Sequence, residues 1–448
     1  MSPAPRPASA TPAAAPSRAS APGPERHRLV LDNGLRVLLA PDRANPVLGV
    51  AVHVDVGFRS EPEGRTGFAH LFEHLMFQGS ESLEKLAHFR HVQSSGGVFN
   101  GSTHQDYTDY FQILPAAALE RALFLEADRL RAPMLTPENL RNQVDVVKEE
   151  IRLNVLNRPY GGFPWILLPP VLYDTFANAH NGYGDFTDLE RSDVDDAAAF
   201  FDAYYAPGNA VLTLVGDFDV DEASRLVERH FGDIPARAVP PRPSFGEPAP
   251  DGERQESVVD PHAPLPALAL GYRMPDPGTD LGGYLAHAVL ASLLTDGEAA
   301  RLTQRLVYDD GLVTDVSASA GLMGSPLDAR DPDTFTVTAV HPEGVGARQV
   351  VDAVDAELAT LAADGPATEE LRRVTARWAG SLYREHDRLM NRMLALGSAE
   401  LLHGRAELSD ELPGAIAAVT PEAVARAAGA LRPDARALLT LTPGGGAA

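Results

Sequence analysis

The sequence predicts an α+β protein built from two homologous layered domains, each a mostly antiparallel sheet with helices packed on one face. Three observations carry this expectation. Short apolar runs with alternating polar residues recur in both halves of the chain, and segments with helical spacing lie between them. A Pro- and Gly-rich charged stretch without periodicity separates halves whose element order matches. The 448 residues suffice for two or three domains, and 44% hydrophobic content can fill their cores. Helices on both faces of a parallel sheet form the competing class. No Gly-rich phosphate loop follows a strand, so nucleotide binding has no local support.

Residues 1–25 are an Ala- and Pro-rich leader that cannot pack and is expected to be disordered. A domain over 26–234 follows. "HRLVLDNGLRVLL" reads as two strands around Asp32-Asn33-Gly34, and "VLGVAVHVDVG" as a third. A helix with Thr66 as N-cap carries residues to Met76. "AVLTLVGDFD" is a strand, and "VDEASRLVERHFG" an amphipathic helix. Residues 235–258 form the linker. The second domain spans 259–445 and replays the outline: "ALALGYRM" a strand, "YLAHAVLASLLT" helical, "DTFTVTAVHP" a strand, two long helical stretches, and "RALLTLTP" a final strand.

The formal net charge is -24, which repels phosphate backbones and anionic lipid heads, so neither nucleic acid nor a membrane is an expected partner. No apolar run is long enough for a transmembrane helix. With no cysteine, disulfides, thiol nucleophiles and thiolate metal sites are excluded. Any soft-metal site must use His and carboxylates.

One helix carries such a pattern. In "RTGFAHLFEHLMFQG", Phe68, Leu71, Phe72 and Leu75 make an apolar stripe, with His70, Glu73 and His74 on the opposite side. Histidines one turn apart can hold one metal ion, and the intervening glutamate sits where it can take a proton from a water on that ion. The plainer reading is a solvated polar face with two ordinary histidines. The apolar flanks and the rare His-x-x-Glu-His order argue against it. His88 and His91 form another close pair without a glutamate and read as surface or interface residues.

An open zinc site needs a third protein ligand. "LTPENLRNQVDVVKEEIRLNVLN" is a helix with Thr136 as N-cap and Pro137 at N1. Leu140, Val144, Val147, Ile151 and Val155 form its apolar stripe. Glu150 lies at the edge of that stripe and Glu149 turns further toward solvent. Geometry favours Glu150 as a buried carboxylate, and a solvated glutamate is the alternative.

These motifs resemble the inverted-zincin peptidases, the pitrilysin, insulin-degrading and mitochondrial-processing peptidase family, in its bacterial half-length branch. "HLFEHLMFQGS" is similar to the family's zinc helix, "GGVFNGSTHQDYTDYF" to the segment after it, and "VVKEEI" to the distal glutamate motif. The resemblance implies that His70, His74 and Glu150 bind one zinc ion, that Glu73 is the general base, and that Asn100 and Tyr110 belong to a strand that pairs with an extended peptide substrate. It leaves the compartment open between bacterial cytoplasm and periplasm.

Two departures from the family pattern stand out. The glutamate expected two helical turns before the ligand carboxylate is replaced by Gln143, which predicts an altered support for the metal ligands. In "RLVYDDGLVTDV", Val307 and Thr314 occupy the positions of the Arg and Tyr that hold substrate and the developing oxyanion in active members. Donors aimed at an oxyanion are worth several kcal/mol, so the expectation is a heterodimer. A homologous non-zinc subunit would supply Arg and Tyr, and the two subunits would enclose a peptidase chamber. The alternative is a non-catalytic assembly protein that retains the scaffold. A metal hydrolase acting on something other than peptides is a third reading.

Overall fold

A computed structural model describes residues 25–241 and 244–444. The leader expected over 1–25 lies outside the described residues save for Glu25. The Asp32-Asn33-Gly34 turn joins β1 (His27–Val30) and β2 (Arg36–Pro41) as an antiparallel hairpin. Asn33 fastens it by donating to the carbonyls of Phe231 and Ile234 while accepting from the Leu35 amide.

β3 (Val47–Val54), β4 (Val98–Thr103), β5 (Thr108–Pro115) and β6 (Ala210–Gly216) complete a sheet of order β1-β2-β6-β3-β5-β4. Only β2 and β6 run parallel. A second sheet comprises β7 (Arg254–Asp260), β8 (Ala267–Arg273), β9 (Asp315–Ala320), β10 (Thr334–Val340) and β11 (Arg436–Pro443), in order β7-β11-β8-β10-β9. Here only β7 and β11 run parallel. Matching β2-β6-β3-β5-β4 with β7-β11-β8-β10-β9 gives one topology used twice, with the parallel pair at the same place in each sheet. The described residues between 235 and 253 form neither helix nor strand.

Helices α1 (Phe68–Leu75), α2 (Ala87–Ser94), α3 (Leu119–Arg131) and α4 (Pro137–Ile151) bury their apolar faces over the first sheet, together with helices Val194–Tyr204 and Val220–Phe231. Helices Leu281–Thr295, Ala347–Asp364 and Pro421–Ala430 do the same over the second.

The remaining face of each sheet is covered by the other half of the chain. Met393 and Leu396, on helix Leu389–His403, pack on Leu38, Ala51, Phe111 and Val215 of the first sheet. In return Leu168, Leu172 and Tyr173 pack on Ala269, Ala437 and Leu439 of the second. Glycines admit these close approaches: a Cβ on Gly49 would fall 2.7 Å from Leu389, and one on Gly271 would fall 2.9 Å from Leu168. Arg59 ties the halves further. Its guanidinium pairs with Asp106 and donates to the carbonyls of Pro332, at 2.8 Å, and Arg330, at 3.0 Å. Among the described residues no helix is long and apolar enough to cross a membrane.

Candidate metal centre and cleft

The sequence pattern of α1 buries Phe68, Leu71, Phe72 and Leu75 and turns His70 and His74 toward a cleft of about 550 Å³. Thr66 does not cap this helix as expected. Gly67 occupies the N-cap, and Thr66 instead donates its hydroxyl to Asp188 at 2.7 Å. The cap comes from Glu61, whose two carboxylate oxygens accept from the amides of Gly67, at 2.9 Å, and Ala69, at 2.7 Å. A fully buried carboxylate satisfies two helix-end donors more strongly than a hydroxyl would satisfy one.

The α4 helix starts as its sequence dictates, with Thr136 Oγ1 accepting from the Asn139 amide at 3.1 Å and Pro137 at N1. Leu140, Val144, Val147 and Ile151 are buried, which sets the phase that turns Glu150 into the cleft. His70 Nε2 lies 3.3 Å from His74 Nε2, and Glu150 Oε2 lies 3.9 Å and 3.6 Å from these nitrogens. All three ligand atoms fall within 4.8 Å of one another.

These atoms fit a zinc ion. Ligands about 2.1 Å from a tetrahedral ion stand roughly 3.4 Å apart. The donor set is also in the right protonation state. Burial, and then the neighbouring His74, depress His70 to about 3. Burial also lowers His74, against the opposing pull of Glu150 and a hydrogen bond with Gln143. Burial thus favours the neutral form of both imidazoles, the form that has a ring-nitrogen lone pair to offer a metal ion. Gln143 touches the ligand set through His74, and its amide also donates to Asn142 at 2.9 Å.

Glu73 sits behind the ligands, 8% exposed. Burial pushes it up to about 7, with Asp109 and Glu150 adding to the rise and a hydrogen bond from Thr103 opposing it. Thr103 Oγ1 donates to Glu73 Oε2 at 2.7 Å, which leaves Oε1 beside Gly101, where a Cβ would stand 3.2 Å away. Gly101 and Thr103 belong to β4, the edge strand, and Asn100, Gly101, Ser102 and Thr103 all line the cleft. An edge strand beside a candidate metal site offers unpaired backbone groups to an extended chain.

Two expectations about the cleft are corrected. Tyr110 does not reach it. It is 1% exposed, shares a hydrogen bond with Tyr205 at 2.6 Å, and lies under the Arg129 guanidinium. Its strand, β5, is an inner strand, so this side chain points into the core. His88 is not a surface residue either: it is buried against Phe77 and Phe99. Asn100 lines the cleft. Val307 packs partly buried on the second core, and Thr314 donates to the Val340 carbonyl at 3.1 Å; neither lines the cleft, and among the described residues no Arg or Lys does.

Sequence reasoning missed Tyr183. Its hydroxyl donates to Glu150 Oε1 at 3.0 Å, its ring meets His70 edge-on at 5.2 Å, and Trp165 backs it at 5.5 Å. It is held by a turn in which Asn181 Oδ1 accepts from the amides of Tyr183 and Gly184. The available signal was the Asn-Gly-Tyr-Gly turn itself, an aromatic fixed between residues that favour tight turns.

Residues 36–158 match the family model for insulinase, peptidase family M16, and residues 192–377 match that for the peptidase M16 inactive domain. The chain belongs to peptidase family M16. Zinc protease PqqE of Helicobacter pylori is 31% identical over 63% of this M16 chain and 64% of its own length, so the match spans less than two thirds of that relative. The uncharacterized zinc protease YmxG of Bacillus subtilis is 25% identical over 93% of this chain and 98% of its own. The crystal structure of a protease from Helicobacter pylori superposes with a TM-score of 0.86 at 24% identity, covering 94% of this chain and all of that one. A peptidase M16 inactive domain from Pseudomonas fluorescens gives 0.82 at 19% identity, covering 94% and 98%. At these identities the two structures establish the shared M16 two-domain fold.

Proposed function

We propose that this M16 chain is the zinc-bearing subunit of a metallopeptidase that hydrolyses extended or unfolded peptides. The observation that carries the reading is the convergence of His70, His74 and Glu150 within 4.8 Å, with the Glu73 carboxylate in the same cleft. The relatives' names as zinc proteases support it. His70, His74 and Glu150 would hold one zinc ion, with Gln143 behind His74 and Tyr183 behind Glu150. Zinc, when bound, supplies a Lewis acid that polarises a carbonyl and brings the pKa of a water to about 7.

The chain's own residues do the rest. The β4 edge binds the peptide backbone over Asn100–Thr103 and orients the scissile bond across the α1 face. Thr103 holds Glu73 Oε2, so Oε1 is the atom that takes the proton of the attacking water. Glu73 then returns that proton to the leaving amine nitrogen. Phe58, Trp165 and Met323 wall the cleft. Among the described residues no lining residue provides the cationic donor for the oxyanion. We therefore assign the Arg and Tyr to a homologous partner that closes the chamber in a heterodimer.

The test is zinc content and turnover measured together. Wild-type chain should keep about one zinc after dialysis, His70→Ala should lose it, and Glu73→Gln should keep it while abolishing hydrolysis by the partner complex. Full turnover by a rigorously purified single chain would overturn the heterodimer. Stoichiometric zinc without turnover in any complex would favour the assembly-protein reading, for which Val307 and Thr314 are the supporting residues.

A further inference from the structure

His180 is buried just before the turn that carries Tyr183, and the cleft's chemistry gives it no part. Its side chain is 7% exposed. Helix Phe176–Ala179 ends there, and the imidazole lies flat on the Phe176 ring, 4.4 Å between centroids, with Phe58 edge-on at 5.9 Å. Nδ1 stands 2.8 Å from the Phe176 carbonyl oxygen, and Nε2 stands 2.7 Å from the Phe58 carbonyl oxygen. A carbonyl oxygen only accepts, so filling both contacts requires a proton on each ring nitrogen. A neutral ring would leave one nitrogen lone pair against an oxygen lone pair. The charged ring has its counterion in place: Glu61 Oε2, fully buried, is 3.3 Å from Nε2.

That ion pair joins two walls of the cleft. Glu61 caps α1, the helix of His70, Glu73 and His74. Phe58, whose carbonyl accepts from Nε2, lines the cleft, as do Asn181, Gly182 and Tyr183. The turn after His180 packs closely against both. A Cβ on Gly182 would fall 2.7 Å from the Phe58 ring, and one on Gly184 would fall 2.3 Å from the Gly67 nitrogen. Tyr183 then donates to Glu150 Oε1, while Glu150 Oε2 faces the two metal-site imidazoles. Burial works against a proton on His180, but Glu61, with the Phe176 and Phe58 carbonyls, outweighs it and raises the group above its ordinary 6.5. Glu61 is the charged group that faces the ring. Arg59, beside Phe58, turns to Asp106 and to the carbonyls of Pro332 and Arg330. Asp185 and Asp188, beyond the turn, accept from Thr187 and Thr66. His70, the first titratable residue of α1, meets the Tyr183 ring instead.

We propose that His180, held as an imidazolium, is a positioning residue of the metal centre: it fastens the Tyr183 turn to the start of α1 and, through the Tyr183 hydroxyl, aims Glu150 at the ion. The proposal rests on the zinc reading of His70, His74 and Glu150 and adds a pH dependence to it. While His180 keeps its proton, both carbonyls and Glu61 hold the turn. Once the proton leaves, one carbonyl contact turns repulsive, the turn loosens, and Glu150 loses its fixed orientation. Zinc affinity is therefore greatest on the acid side of the His180 titration and declines as pH climbs through it.

The test uses full-length chain and zinc itself. Competition with a chelator measures zinc affinity from about pH 7 to about pH 10, a range that spans a raised histidine. Nitrogen-15 NMR of histidine-labelled chain follows His180, whose signal is the one lost in His180→Gln. At neutral pH both ring nitrogens should carry protons. His180→Gln keeps a donor only at the Nε2 position and should weaken zinc about tenfold. The ratio of wild-type to variant affinity cancels proton effects at the ligands, which both chains share. That ratio should shrink as pH rises, with the midpoint of the NMR titration. In a Tyr183→Phe background the same substitution should cost much less than tenfold, because the path runs through that hydroxyl. His180→Asn, which keeps a donor at the Nδ1 position instead, serves in its place should His180→Gln not fold. A bare ring nitrogen at neutral pH overturns the proposal, as does a ratio that does not change with pH or a loss that adds fully to that of Tyr183→Phe. A histidine with a purely structural role would lower the unfolding midpoint and leave the zinc ratio flat. A wild-type chain that keeps no zinc refutes the metal centre and this role with it. Zinc kept equally by wild type and by folded His180→Gln refutes the positioning role alone.

Discussion

Glu61 is the residue whose replacement most directly probes how the cleft is built. Its oxygens accept from Gly67 and Ala69 at the start of α1, and His180 Nε2 stands 3.3 Å away. Glu61→Ala removes two charge-assisted acceptors and leaves two amide donors in a site from which water is excluded. Each orphaned donor costs about 1–3 kcal/mol, and loss of negative charge at the helix N-terminus adds about 0.3–1 kcal/mol. Burial raises the Glu61 pKa against the pull of His180 and both amides, so the charge itself carries a desolvation cost that removal returns. The net loss expected is about 3 kcal/mol. Glu61→Gln keeps one acceptor and should lose about 1–2 kcal/mol. Urea denaturation followed at the first-domain transition measures the stability change, and zinc competition with a chelator measures the expected weakening of the site as α1 frays. An alanine variant within 0.5 kcal/mol of wild type, with unchanged zinc affinity, would refute the capping argument.

Three further outcomes are expected. Arg59→Met should destabilise by about 3–5 kcal/mol because it strands Asp106 in the interior, while Arg59→Met with Asp106→Leu should recover much of the loss, as read by chemical denaturation. His104 gains its partners Asp328 and Asp109 only on folding and its pKa rises, so its contribution is fully present below about 6.5 and fades as pH climbs toward about 10. The denaturation midpoint should therefore fall between pH 7 and pH 9, and His104→Gln should flatten that slope. Tyr183→Phe should weaken zinc binding about 10- to 100-fold by freeing Glu150, and Gln143→Glu should strengthen it, both by chelator competition.

The parts of the molecule that were legible in the sequence are those set by local periodicity. The apolar phase of α4 put Glu150 at the edge of the buried stripe and left a solvated position open, the family resemblance paired it with His70 and His74, and the Asp32-Asn33-Gly34 turn announced its hairpin. Features built from distant segments were not legible. Thr66 looked like the cap of α1 because hydroxyls are good caps, yet Glu61 reaches the same amides from a preceding turn and forms the stronger bond. Tyr110 was given to the cleft strand on the resemblance alone, but it lies on the neighbouring inner strand β5 with its side chain in the core. The run "VLGVAVHV" in β3 is apolar on both faces, which hints that both are covered. The covering helix, Leu389–His403, lies in the other half of the chain, beyond the reach of any local pattern. Tyr183 shares that origin, carried in by a turn.

Zinc-edge X-ray absorption on the dialysed wild-type chain tests the central claim most directly. The account predicts about one zinc per chain, with two imidazole nitrogens at about 2.0–2.1 Å and carboxylate oxygen in the first coordination sphere, and loss of that oxygen contribution in Glu150→Ala. A chain that retains no zinc from an excess, or a spectrum without imidazole scattering, would contradict it.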